Sequence, residues 1–217
     1  MESKISNCQR AFQRKIIFIF IMVLFSSCFY RTSGNDSKAD LYNEKNSADS
    51  LKEESEMIDE EVMTNYDSLA LTNKENNIIV ICKRKFTLTL FYDTVKIKEY
   101  IVALGKNPND KKKAGDNATP LGYFRIIKIE NSSYWTHDFN DGKGEIRGAY
   151  GPYFLLLKTG KEETISGKEW KEIGIHGTHN EESIGTNASE GCVRMKNEEL
   201  IDLMRFVSID TKVEIRE

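Results

Sequence analysis

A mainly-β domain, a barrel or sandwich of about 140 residues, is what this 217-residue sequence predicts for its C-terminal part. Three observations carry that reading. Short β-rich runs recur between turn signals, one of them alternates apolar and polar residues, and a single segment there has convincing helical spacing. IIVIC (78–82) and KFTLTLFY (85–92) open the series, the second setting Phe86, Leu88, Leu90 and Tyr92 on one face. VKIKEYIVAL (95–104) follows across an Asp93-Thr94 turn, and a polar loop with three consecutive lysines, Lys111 to Lys113, occupies 107–120. GYFRIIKIE (122–130) and PYFLLLK (152–158) are the next strands. Between them, aromatics among glycines at 132–151 read as a loop or lid over a site. EIGIHG (172–177) carries a short strand, and TKVEIRE (211–217) closes the chain. The helix is NEELIDLMRFV (197–207), with Leu200, Leu203, Met204 and Val207 along one face.

Ahead of this domain the composition changes twice. Residues 1–28 carry four basic groups against one acid, residues 29–75 carry 5 basic against 12 acidic, and residues 76–217 carry 22 against 21. A near-neutral domain of mixed signs has no basic stripe for DNA or RNA, so no nucleic-acid partner is expected. Arg14 and Lys15 precede an apolar run of ten residues, 16–25. Ten residues of helix rise about 15 Å, half of a bilayer core, which fits a signal-peptide h-region. Ser26, Ser27 and Cys28 follow, and small residues before a cysteine there resemble the lipobox of bacterial lipoproteins, although Phe25 stands where leucine is more usual. An uncleaved signal anchor is the alternative; both put the rest of the chain outside the cytoplasmic membrane. Residues 28–76 read as a flexible acidic stalk, with a short helix around 51–63 and too few apolar residues to bury. The expected organisation is therefore a signal peptide (1–27), a stalk (28–76) and a folded domain (77–217).

The chemistry concentrates in HGTHNEESIGTNASEGCVRM (176–195). Cys8 falls within the signal, Cys28 is the lipid attachment site, and Cys82 in an apolar strand reads as a buried inert thiol. Cys192 alone lies between glycine and small polar residues ahead of a helix, and an unpaired cysteine in an exported chain needs a reason. Helix dipoles and a nearby imidazolium would favour its thiolate. His176, 16 residues upstream at a strand end, supplies the imidazole, and Cys–His is then an acyl-transfer pair. A zinc site through His176, His179 and Cys192 is the rival drawing, but no fourth ligand stands near except Glu181, Glu182 or His137. No metal and no cofactor is expected.

HGT followed by SEGCVRM resembles the L,D-transpeptidase catalytic domain of the YkuD type residue for residue. ATPLGYFRI (118–126) and GAYGPYFLLL (148–157) are similar to two further family elements, so the resemblance covers about 77–217. One departure is Glu190, where many members have histidine before the Gly-Cys pair. The resemblance implies a YkuD-like β-barrel or sandwich with one helix toward its C-terminus. It makes Cys192 the nucleophile and His176 the general acid/base, with the Gly177 carbonyl orienting the imidazole and Gly191 allowing close approach at the oxyanion nest. Arg194 would hold a substrate carboxylate, a salt bridge to Glu198 being the structural alternative. The implied partners are peptidoglycan stem peptides and, through the lipid at Cys28, a membrane of the bacterial cell envelope. The implied reaction is 3→3 cross-linking through a thioacyl enzyme. Trimming by water and transfer of a protein to or from the wall share the same site. A rival of another class is an inactive peptidoglycan-binding module. Trp135 and His137 fall in the lid segment, whose exclusion of water would favour an amine acceptor.

Overall fold

The computed structural model describes residues 62–217 except 140, 141 and 143. The signal peptide, Cys28 and the stalk up to residue 61 lie outside the described residues. In chain order the strands are β1 (Asn77–Cys82), β2 (Thr87–Tyr92), β3 (Val95–Ile101), β4 (Leu104–Gly105), β5 (Gly122–Asn131) and β6 (Thr136–Asp138). They continue as β7 (Glu145–Arg147), β8 (Tyr153–Leu157), β9 (Gly174–His176), β10 (Asn187–Ser189), β11 (Val193–Arg194) and β12 (Lys212–Arg216). Helix α1 contributes described residues 62–72, and α2 spans Asn197–Met204.

Eight strands form one sheet in the order β11-β9-β8-β5-β12-β1-β2-β3. Hairpins make β1–β2 and β2–β3 antiparallel, while the first and last strands meet as the parallel pair β1–β12. The sheet curls until its two ends nearly join: Ala103, just beyond β3, exchanges two backbone hydrogen bonds with Arg194 of β11, at 2.8 and 2.9 Å. That contact is why the predicted strand 95–104 breaks. β3 stops at Ile101, Ala103 turns to β11, and Leu104–Gly105 pairs with β10 instead. The mainly-β fold class is therefore as read, with the barrel left incomplete.

The inward face is apolar because the strand period is two. β1 buries Asn77, Ile79 and Ile81 and leaves Ile78, Val80 and Cys82 half-covered. Cys82 is thus a half-buried thiol rather than a buried one, its Sγ–H donating to the Glu217 carbonyl at 3.3 Å. Leu88, Leu90, Phe124, Ile126, Leu155, Ile175 and Val213 complete the wall, and Leu200, Leu203, Phe206 and Val207 plug it from the α2 end. The predicted β2 face holds, but Phe86 has φ 53° and so stands in a turn before the strand.

Order begins earlier than the stalk reading allows. Residues 62–72 are helical, Ala70 is fully buried, and Tyr66, Leu69 and Leu71 pack against the core. Tyr66, Leu69 and Ala70 have the spacing of one helical face; the acidic block upstream, 53–61, dilutes it in any composition window. Asn77 locks this helix to the domain. Its Nδ2 donates to the carbonyls of Ala70 and Phe206, both at 2.7 Å, at a position with no solvent exposure. Asn77→Ala leaves both acceptors buried without a donor and is expected to cost about 2–4 kcal/mol. Urea unfolding of the purified variant measures that loss.

Candidate active site

A cavity of about 1080 Å³ opens beside the β9–β11 edge, lined by His176, Cys192 and Arg194 among others. The sheet register brings these three together. β11 runs parallel to β9 with Arg194 opposite His176 and Val193 opposite Ile175. Cys192 is therefore level with Gly174, one strand over and two residues from His176 on the same face. Strand spacing and rise put those two Cα atoms about 8 Å apart.

Close backbone contacts hold the segments in place. The His176 carbonyl accepts the Met195 amide at 2.9 Å. Asn197, at the start of α2, accepts from the Thr178 amide at 2.9 Å and donates to the Thr178 carbonyl at 3.0 Å. A Cβ at Gly177 or Gly151 would collide with the Asn197 side-chain oxygen and with the other glycine's backbone, so both positions require glycine. Before the cysteine, Ser189 Oγ donates to the Cys192 carbonyl at 2.5 Å and accepts from the Gly191 amide at 3.1 Å. Gly191 has φ 138°, a conformation unfavourable to side chains, and a Cβ there would sit 3.1 Å from the Ala118 carbonyl. The Gly191 amide is thus engaged by Ser189, whereas the Cys192 amide has no hydrogen-bond partner among the described residues.

His176 is 3% exposed, and its Nδ1 lies 2.6 Å from the Gly177 carbonyl oxygen. A carbonyl only accepts, so Nδ1 carries the hydrogen and Nε2 keeps the lone pair. The Phe154 ring stacks on the imidazole at 5.4 Å and Tyr150 meets it edge-on at 4.9 Å. Burial, with the Arg194 charge adding to it, pushes the His176 pKa down to about 3. Burial likewise pushes the Cys192 thiol up to about 11, against a backbone hydrogen bond from Gly174 and the charges of Arg194 and Lys111. The resting thiol donates to the Glu172 carbonyl at 3.3 Å. Both shifts favour a neutral thiol and a neutral imidazole at neutral pH over the thiolate–imidazolium pair that the sequence suggests. The dipole and the imidazolium are outweighed by desolvation, which disfavours both charges.

Arg194 is 7% exposed, and its guanidinium lies 5.0 Å from the Phe139 ring centroid. Its Nε is buried without a partner, and no ion pair forms with Glu198 or any other carboxylate among the described residues. A buried cation left unpaired beside a cavity is available to an anion from outside. His179 takes no part in a metal-type cluster; its ring lies 5.1 Å from Phe139, and its Nδ1 is 3.5 Å from the Ala149 carbonyl. Among the described residues no three His, Cys, Asp or Glu side chains gather as a metal-holding group.

The 132–151 segment forms the β6–β7 hairpin, and Trp135 packs on Tyr150 and Phe154 at 5.8 and 5.5 Å. The lysine run divides. Lys112 and Lys113 are exposed, but Lys111 is 5% exposed, bound to Asp116 at 2.9 Å and set 5.4 Å from the Trp170 ring centroid. Asp116 also accepts three backbone amides, so this loop is tied rather than solvated. Sequence reasoning passed over Ser189, Asn197 and Lys111 as structural members of the site. Ser189 opens the cysteine motif and bonds within it, whereas Asn197, just beyond the motif, takes its partner Thr178 from the tertiary approach of another loop.

The chain belongs to the L,D-transpeptidase catalytic domain family, whose model matches residues 76–215. Two Bacillus subtilis (strain 168) proteins, YqjB and YkuD, whose names assign them provisionally as L,D-transpeptidases, are similar to it. YqjB is 29% identical over 62% of this chain and 68% of its own length. YkuD is 33% identical over 59% of each chain. A solved L,D-transpeptidase of Mycobacterium tuberculosis H37Rv superposes with a TM-score of 0.47 at 15% identity, over 65% of this chain and 58% of that one.

The neutral resting pair has a measurable consequence. Below about pH 11 the thiolate fraction rises tenfold per pH unit. Alkylation of Cys192 by iodoacetamide, followed by peptide mass spectrometry, is therefore expected to climb about tenfold per unit from pH 7 to 9. A rate that levels off between pH 5 and 8 would show the ion pair instead.

Proposed function

We propose that this chain is a cysteine-dependent acyltransferase that cross-links peptidoglycan stem peptides through a thioacyl intermediate on Cys192. The observation that carries the proposal is the register of β9 and β11. It places a cavity-facing thiol, a single-tautomer imidazole and an unpaired buried guanidinium side by side. Family membership supports the substrate class, since the family acts on peptidoglycan stem peptides.

The sequence of events follows from the proton inventory. His176 Nε2, left with its lone pair by the Nδ1–H bond to Gly177, takes the thiol proton as Sγ attacks the carbonyl of the third stem residue. Charge forms only in the transition state, so the neutral pair waits at no electrostatic cost. The Cys192 amide is the donor for the oxyanion, in a nest that Gly191 opens to close backbone approach, the Gly191 amide itself being held by Ser189. The same proton then passes from His176 to the departing D-alanine nitrogen. Arg194 holds a stem carboxylate. The aromatic wall of Trp135, Tyr150 and Phe154 shields the thioester from water, which favours an amine acceptor over hydrolysis.

Cys192→Ala and His176→Ala are each expected to lower turnover of stem tetrapeptides by about a thousandfold or more, with no additive effect in the double variant. His179→Ala keeps most activity. A carbapenem adduct on Cys192 by intact-mass measurement, absent in Cys192→Ala, separates this reading from a binding module. Muropeptide product analysis separates cross-linking from trimming: tripeptide as sole product at high amine concentration overturns the acceptor assignment.

We further propose that the chain is an envelope lipoprotein anchored through Cys28, on the strength of the basic, apolar and Ser-Ser-Cys segments in order. Two or three acyl chains hold firmly where one holds marginally. Cys28→Ala is expected to move the protein from the membrane pellet to the soluble fraction, and unchanged pelleting would favour a signal anchor.

A further inference from the structure

Glu190 occupies the position where the family motif commonly has histidine, and it stands two residues before Cys192 as Arg194 stands two residues after. Its carboxylate lines the same cavity as the thiol and keeps 40% of its side-chain surface open. Oε2 lies 3.2 Å from His137 Nε2 on the β6 strand of the hairpin. A carboxylate only accepts, so Nε2 carries the hydrogen, and in the neutral imidazole Nδ1 then accepts from the Tyr150 hydroxyl at 3.1 Å. Burial holds the Tyr150 hydroxyl above its ordinary pKa, which keeps it a donor. Phe139 packs edge-on against the His137 ring at 4.4 Å. One carboxylate oxygen is thereby fixed from the hairpin. The other, Oε1, has no hydrogen-bond partner among the described residues, and no lysine or arginine pairs with Glu190 there.

The cleft thus carries opposite charges on the two residues that flank its nucleophile in sequence, the Arg194 cation and the half-open Glu190 carboxylate, each within range of the other's field. A donor stem arrives with a carboxylate. An acceptor arrives at neutral pH as a primary ammonium, the ion that a free carboxylate oxygen binds and that water, its competitor, lacks. We propose that Glu190 selects the acceptor, its Oε1 holding the ammonium of a second, amine-bearing peptide over the Cys192 thioester while His137 sets the carboxylate's orientation. This deepens the thioacyl reading above and rests on it. Protons and bonds balance without another reactant. The ammonium releases one proton to bulk water, and its nitrogen forms the new C–N bond as the C–S bond breaks. A second nitrogen proton passes through His176 Nε2 to Sγ, restoring the neutral thiol.

The experiment uses the full chain with a stem tetrapeptide as donor and a stem tripeptide bearing a free side-chain amine as acceptor. Mass spectrometry reads the ratio of cross-linked to hydrolysed product, and the rate of carbapenem adduct formation on Cys192 reads acylation separately. Glu190→Gln is expected to lower the product ratio about tenfold more than it lowers acylation, as loss of one charge-assisted contact would. Glu190→Asp restores much of the ratio. Added NaCl depresses the ratio in the wild type and leaves it nearly flat in Glu190→Gln. A product ratio unchanged in Glu190→Gln, or a ratio that falls only in step with acylation, overturns the proposal. Failure of the wild type to form any adduct on Cys192 overturns instead the thioacyl reading on which it stands.

Discussion

The two-residue strand β11 is held from both sides, by β9 on one flank and by Ala103 on the other, and the rest of the site depends on that pinning. Two residues make a weak strand alone. Here the backbone amide and carbonyl of Arg194 both bond to Ala103, closing the curled sheet, while the parallel register with β9 sets His176 beside the same residue. Sheet closure and site assembly are thus one event. Cys192 enters this clamp from a turn whose shape comes from Ser189 and from the left-handed Gly191. The motif around the cysteine serves geometry before it serves chemistry.

Burial then sets the electrostatics. The imidazole, enclosed by Tyr150, Phe154 and the sheet, loses the hydration that would stabilise its charged form, and the half-buried thiol loses part of it. Both groups stay neutral, and the Gly177 carbonyl takes the place a carboxylate holds in a Ser-His-Asp triad. A carboxylate there would stabilise an imidazolium at rest; a carbonyl fixes the tautomer without doing so to the same degree. Arg194 is the opposite case, a permanent cation kept buried with its Nε unpartnered. Such a charge is costly in isolation, and the Phe139 ring and the Glu190 charge nearby offset part of that cost.

The tie between hairpin and cysteine loop is specific to this chain's residues. His137 bridges the Tyr150 hydroxyl and Glu190, so the wall over the site and the turn before the nucleophile are joined by two hydrogen bonds and a ring contact. With Arg194 against the same Phe139 ring, the cleft holds both signs of charge, which a purely apolar lid would lack.

The sequence by itself determined the strand-rich class and the helix that plugs the core, and it singled out Cys192 and His176, which the structure sets on one cavity. Periodicity, glycine placement and motif chemistry are local properties, legible along the chain: the alternation Leu88, Leu90, Tyr92 and the face Leu200, Leu203, Val207 needed no partner to be recognised. Helix α1 was hidden because its apolar face adjoins an acidic block, and its packing depends on Asn77 and Phe206, the latter more than 130 residues away from Ala70. Strands β10 and β11 were hidden because two or three residues carry no period; they exist only where β4, β9 and Ala103 offer a ladder. The protonation state of Cys192 and His176, the unpaired Arg194, the buried Lys111–Asp116 tie and the His137–Glu190 contact belong to tertiary structure alone. Each depends on desolvation or on a partner from a distant segment, and neither is written in the residues that flank it.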